Sequence, residues 1–156
     1  MQLRGEQLVE NDETKIYVNA AYERDIVCYS YIVSQKGKES IYYKKVKTYC
    51  NDIVKALVMC IEDALKNHKG DKTVVYSDIS GIDFKNVDSL RNFNNVRYEN
   101  IHSTYTLATR ALSDYLCDRN MTIPHMFILN KHKNAIGMPK ELIDYIDSQL
   151  LVYSRR

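Results

Sequence analysis

Carboxylates, one histidine and clustered lysines are the groups in this chain best able to do chemistry, and the hydropathy pattern around each says what that chemistry would be. Asp78 follows Thr73 to Tyr76, a short β-branched and aromatic run of the kind buried in the middle of a sheet. Its carboxylate therefore stands at a strand end, where α/β folds place their ligands. A turn closed with Ser80 and Gly81 is its plainer account. Asp83 and Asp88 are near enough in sequence to join Asp78 around a metal, although their spacing does not demand it. Asp52 precedes a periodic apolar segment and is most simply a helix cap. His132 lies between Lys131 and Lys133, where an imidazole could shuttle protons and where a solvated basic loop is the ordinary alternative. Lys44, Lys45 and Lys47, with Lys36 and Lys38 nearby, could contact a phosphate backbone while Tyr42 and Tyr43 offer stacking. Lysines also guard exposed sheet edges, which explains the same run without a ligand.

The elements that must position these groups follow from periodicity. Residues 1–14 lack a pattern and read as a flexible leader, with residues 15–156 forming one domain. Lys15 to Tyr22 alternates with period two, and Asp25 to Gln35 does so with apolar residues on both faces, as in a strand covered on both sides. Lys36-Gly37-Lys38 is a hairpin turn by composition, and Ser40 to Lys47 is the third strand. A helix beginning at Asn51 or Asp52 carries Ile53, Leu57, Cys60, Ile61, Ala64 and Leu65 at spacings of three and four, and stops near Gly70. Residues 79–95 form a Gly-, Asp- and Asn-rich connection with room for a short helix at Val87 to Phe93. Val96 to Ile101 looks extended. A second helix runs from an N-cap at Ser103 to Asp118, with Leu107, Ala111, Leu112, Tyr115 and Leu116 along one side. Ile123 to Leu129 reads as a last short strand, and Pro139 opens a last helix striped by Leu142, Ile143, Ile146 and Leu150. Strand, strand, strand, helix, strand, variable segment, helix, strand, helix implies a mixed sheet with helices packed on it.

Composition narrows the class. The 156 residues are 45% hydrophobic and 27% charged, which fits a globular chain rather than a disordered one. No apolar run is long enough to span a bilayer, and the polar, acidic start of the chain is unlike a secretory signal, so a cytoplasmic protein without a membrane partner is expected. The four cysteines show no Cys-x-x-Cys spacing and sit in apolar patterns as reduced structural thiols. A net charge of +2 does not by itself announce a nucleic-acid binder.

The order of elements resembles ribonuclease H, and five local stretches agree with it. Ile16-Tyr17-Val18-Asn19 is similar to the family's first strand, Ala64 to His68 to the end of its first long helix, and Val74 to Ser80 to its fourth strand. Phe127 to His132 resembles its last strand running into a histidine loop, and Lys140 to Asp144 falls where its last helix presents a final carboxylate. The resemblance covers Lys15 to Val152. It implies a five-stranded mixed sheet, three antiparallel strands followed by parallel ones, flanked by helices. It also implies a site in which two magnesium ions sit between four carboxylates and the scissile phosphate. Carried over residue by residue, the first-strand Asp is Asn19, the first-helix Glu falls near Val54 with Asp52 as a substitute, and Asp78 and Asp144 remain. His132 would be the mobile histidine. An amide is a neutral ligand and cannot replace an anion that bridges two metals.

Three functions follow. The first is a ribonuclease H-like domain with a decayed site, needing no cofactor and kept as a binding module for RNA/DNA hybrid, duplex RNA or a protein partner, with Lys44, Lys45, Lys47, Lys131 and Lys133 as contacts. The second is a nuclease using magnesium or manganese on Asp52, Asp78 and Asp144, with Asn19 as a weak fourth ligand. The third is a scaffold or interaction protein without catalytic function.

Overall fold

The computed structural model of the chain describes residues 13–117 and, beyond them, Met126, Phe127, Asn130, Lys131, Lys140, Ile143, Asp144, residues 146–148 and Leu150. Three ten-residue strands open the fold, β1 (Thr14–Glu23), β2 (Ile26–Gln35) and β3 (Lys38–Lys47). β2 and β3 meet at a two-residue turn in which Lys36 and Gly37 both have positive φ, 52° and 77°. Two such residues make a type I′ turn, whose twist matches that of the strands, and glycine takes its second position without strain. The first strand begins one residue earlier than the sequence implies. Thr14 already begins β1, because Gln35 donates to its hydroxyl and its backbone N–H is held by the Lys72 carbonyl.

Helix α1 (Ile53–His68) starts where the Asp52 carboxylate accepts from the Val54 N–H at 2.9 Å, and it buries Ala56, Leu57, Cys60, Ile61, Ala64 and Leu65. Gly70, just beyond, is needed for packing, since a Cβ there would lie 2.5 Å from the Thr14 hydroxyl oxygen. The chain then enters β4 (Thr73–Ser77), passes two single 3₁₀ turns at Phe84–Asn86 and Asp88–Leu90, and returns in β5 (Val96–Asn100). Helix α2 (Thr104–Leu116) opens with a reciprocal cap: Ser103 accepts from the Thr106 N–H while the Thr106 hydroxyl accepts from the Ser103 N–H.

The sheet order is β3-β2-β1-β4-β5, with β1, β2 and β3 antiparallel and β4 parallel to both β1 and β5. This is the ribonuclease H-like arrangement expected from the sequence, with one correction. The fifth strand is Val96–Asn100, not Ile123 to Leu129. Within that second stretch Met126 and Phe127 are helical, Met126 buried and Phe127 half exposed. A short apolar run suits a buried helix as well as a strand, and the sheet edge beside β4 is already filled by β5.

Period-two alternation sorts the core onto two faces. Ile16, Val18, Val27, Tyr29, Tyr31 and Val75 pack under α1, while Tyr17, Ile32 and Ile41 pack with Ala108, Ala111 and Leu112 of α2 and with Ile146. Each fully buried Leu or Ile contributes about 1.5–3 kcal/mol, so Leu57→Ala, at a position with no exposed surface, would cost about 2–5 kcal/mol. Contrary to the apolar stripe read from its sequence, α2 also turns Thr106, Thr109 and Ser113 toward the sheet, all fully buried. The reason lies beneath it, where β1 and β2 present Asn19 and Ser30. Ser30 donates to the Thr109 carbonyl at 2.7 Å, and Ser113 reaches the Asn19 carbonyl at 3.3 Å.

Candidate functional site

Parallel pairing of β1 with β4 sets Tyr17 opposite Tyr76, so Asn19, in the middle of β1, and Asp78, just past the end of β4, each two residues further on, meet on the α2 face. Asn19 is fully buried and its amide nitrogen donates to Asp78 Oδ1 at 3.3 Å and to the Thr106 carbonyl at 3.0 Å. Both of those partners only accept, which fixes the amide with its nitrogen toward them. Its oxygen accepts from the Ala20 N–H at 3.2 Å. Arg110 of α2 completes the group: Nε donates to Asp78 Oδ2 at 3.2 Å and Nη2 to Oδ1 at 2.8 Å. The Asp78 side chain is 4% exposed and that of Arg110 34% exposed.

This donor set does not fit two magnesium ions. Magnesium needs several anionic or carbonyl oxygens around it. Here the amide turns its nitrogen inward, and both oxygens of Asp78 face a guanidinium that already supplies a positive charge. Among the described residues no three His, Cys, Asp or Glu side chains gather into a group that could hold a metal.

The other sequence candidates are distributed elsewhere. Asp52 is exposed and its carboxylate caps α1, the helix on the opposite face of the sheet. The α1 carboxylate that does reach the sheet is Asp63, which accepts from the hydroxyls of Tyr29 and Tyr31 and from Asn67. Burial first, and then the Asp63 carboxylate, push both phenols well above their ordinary range. Asp144 is exposed on a helical segment whose Ile143 and Ile146 pack with the α2 cluster. Lys131 is helical and exposed, while His132 and Lys133 lie outside the described residues. Asp83 accepts from Asn86 within its own turn, and Asp88 pairs with Arg91 at 3.4 Å, so neither joins Asp78.

Lys44, Lys45 and Lys47 of β3 are exposed on an edge strand, but alternation divides them. Register pairs Lys45 with Cys28 and Lys47 with Ile26, on the face of Asn19 and Asp78, whereas Lys44 pairs with Tyr29 on the α1 face. Tyr43, opposite Ser30, shares the Asn19 face and is 45% exposed. Tyr42 instead stacks on Tyr31 at 5.3 Å and against His68 at 4.3 Å between ring centres. Desolvation there holds the His68 imidazole below its ordinary range, with Asp63 opposing.

Arg110 and Thr106 are the site residues that sequence reasoning missed. One signal was available: Arg110 is the only basic residue of α2, three residues before Ser113 and four after Thr106, so it borders the buried polar line rather than the solvent side.

No protein-family model matches the chain, and no curated protein matches it. Among solved structures it is similar to the ribonuclease H1 of the halophilic archaeon Halobacterium salinarum NRC-1, with 12% identity and a TM-score of 0.49 over 68% of this chain and 98% of the other. It is also similar to LC11 ribonuclease H1, solved in complex with an RNA/DNA hybrid, with 13% identity and a TM-score of 0.34 over 56% and 84% of the two chains. The strand order β3-β2-β1-β4-β5, with three antiparallel strands followed by parallel ones, is by itself the ribonuclease H-like fold.

Proposed function

We propose that this chain is a ribonuclease H-like binding domain for A-form duplexes, RNA/DNA hybrid or duplex RNA, that does not carry out two-metal phosphodiester hydrolysis. One observation carries the reading: both oxygens of Asp78, the carboxylate that meets Asn19 just past the end of β4, are engaged by Arg110. A nuclease would have to expel that guanidinium and then hold its ions with an amide in place of a bridging anion. Nucleic acid is favoured as ligand by the exposed lysines of β3, two of which lie on the Asn19 and Asp78 face. Phosphate contacts of this kind bind without sequence preference and weaken steeply with salt.

The test has two arms. Labelled hybrid is incubated with the protein in magnesium and then in manganese, and no cleavage above background is expected. Fluorescence anisotropy in EDTA at low salt should then show binding to hybrid and RNA duplex, tighter than to B-form DNA and lost as salt is raised. Metal-dependent turnover abolished by Asp78→Ala would restore the nuclease reading, and absence of binding to any duplex would transfer the role to a protein partner.

A further inference from the structure

Arg110 meets Asp78 side-on, through Nε and one hydrogen of Nη2. A guanidinium has five N–H bonds in one plane. Side-on pairing uses two of them and leaves three, two on Nη1 and one on Nη2, with no partner among the described residues. Exposure is divided unequally across the pair: the carboxylate keeps 4% of its surface and the arginine 34%. The pair is formally neutral, yet what solvent meets is its positive end. Asp78, itself held by the Asn19 amide, anchors the guanidinium from below, so a ligand would not have to immobilise a free side chain.

We propose that the outward edge of Arg110 is a phosphodiester-binding position, with Nη1 and Nη2 donating to the two non-bridging oxygens of one backbone phosphate. This inference rests on the nucleic-acid reading above and assigns its central contact. The planar fork of arginine matches two oxygens of one anion, a geometry lysine cannot supply. In this arrangement a cation carried by the chain itself meets the phosphate, and no ion is needed between protein and backbone. A peptide carboxylate presents a similar pair of oxygens. The phosphate is preferred because Lys45 and Lys47 lie on the same sheet face, beyond the row that joins Asn19 to Ser30 and Tyr43, as a backbone with repeated charges would require.

A short labelled RNA duplex is titrated in EDTA against the wild type, Asp78→Asn and Arg110→Lys, each checked for folding by circular dichroism. Asp78→Asn keeps the shape of the site while removing the opposing negative charge, so binding should tighten by about threefold. Arg110→Lys should weaken it by about fivefold, since the fork is lost and the charge retained. Magnesium should change neither value. Side-chain 15N NMR of the unmodified protein gives a reading that does not depend on a variant folding: the Arg110 guanidinium signals should shift on addition of duplex. Duplex binding with those signals unmoved and Arg110→Lys unaffected would overturn the inference while leaving the binding reading intact. Binding of an acidic peptide with no binding of duplex would overturn both. Magnesium-stimulated binding that disappears in Asp78→Asn would overturn the inference in favour of a metal on Asp78.

Discussion

Arg110→Met tests whether the ion pair is the keystone of the site. The substitution removes two of the three donors on Asp78 and leaves the carboxylate, 4% exposed, with only the Asn19 amide at 3.3 Å. Breaking a buried pair by deleting one partner costs about 3–5 kcal/mol. Because the arginine side is 34% exposed and water can approach from there, the lower figure of about 3 kcal/mol applies. With a urea slope of about 2 kcal/mol per molar, the unfolding midpoint should fall by about 1.5 M, within the about 5–15 kcal/mol that holds such a domain together. Adding Asp78→Asn removes the stranded charge and should recover about half the loss, so the coupling energy in a double-mutant cycle is about 1.5 kcal/mol plus the cost of Asp78→Asn alone. Equilibrium urea unfolding followed by circular dichroism measures all four corners. A cost below about 1 kcal/mol for Arg110→Met, with no coupling to Asp78, would refute the view that the pair organises the site.

Three further outcomes are expected. Asn19→Asp places a second buried carboxylate beside Asp78 and sets it against the Thr106 carbonyl, which loses the Asn19 donor, so it should destabilise by about 3 kcal/mol and restore no magnesium-dependent cleavage; a stable, active variant would contradict the assignment. Burial pushes the Tyr98 and Tyr105 phenols up from 10.0 to about 12, and raises Tyr29 and Tyr31 as well. Since these folded-state values exceed the unfolded one, their stabilisation is complete below pH 10 and drains as pH rises toward 12; the urea midpoint should fall across that window, less so in Tyr29→Phe, and a flat profile would be inconsistent. All four cysteines are buried and unpaired by disulfides, and burial raises the Cys60 thiol, so native protein should react with a thiol reagent only as fast as it opens; rapid labelling of any one of them without denaturant would show that the packing around it is wrong.

Local physics made most of the fold legible. Three period-two runs and a Lys-Gly turn predict β1 to β3, and the caps at Asp52 and Ser103 locate the starts of both helices. The fifth strand was misplaced because Ile123 to Leu129 is short and apolar, whereas Val96–Asn100 is an edge strand whose Arg97, Glu99 and Asn100 are exposed and dilute the pattern. At the site, Asp78 is marked by its position after a buried run, and Asn19 by the resemblance alone. Arg110 was invisible for a physical reason. Its partner is 32 residues away, and whether it faces that partner or water depends on how α2 is rotated on the sheet. That rotation is set where the buried Ser30 hydroxyl meets the Thr109 carbonyl and the Ser113 hydroxyl, and an apolar stripe cannot report it.

The hydrogen bonds that complete the site join parts of the chain that are remote in sequence: Asn19 to Asp78 across 59 residues, Asn19 to Thr106 across 87 and Ser113 to Asn19 across 94. The β1–β2–β3 meander, by contrast, closes through neighbouring hairpins. Loop closure must be compensated by contacts made afterwards, so local hairpins assemble readily and distant ones late. The ordering places the docking of α2, and with it the meeting of Arg110 and Asp78, after the meander in folding. Run in reverse, it makes α2 lift away before β1 and β2 separate in a partial opening of the native state. Amide exchange should then show α2 opening at lower free energy than β1 and β2. Any ligand that grips Arg110 across the sheet would slow exchange in α2 first, so occupancy could be followed from the backbone of a helix whose sequence looks merely structural.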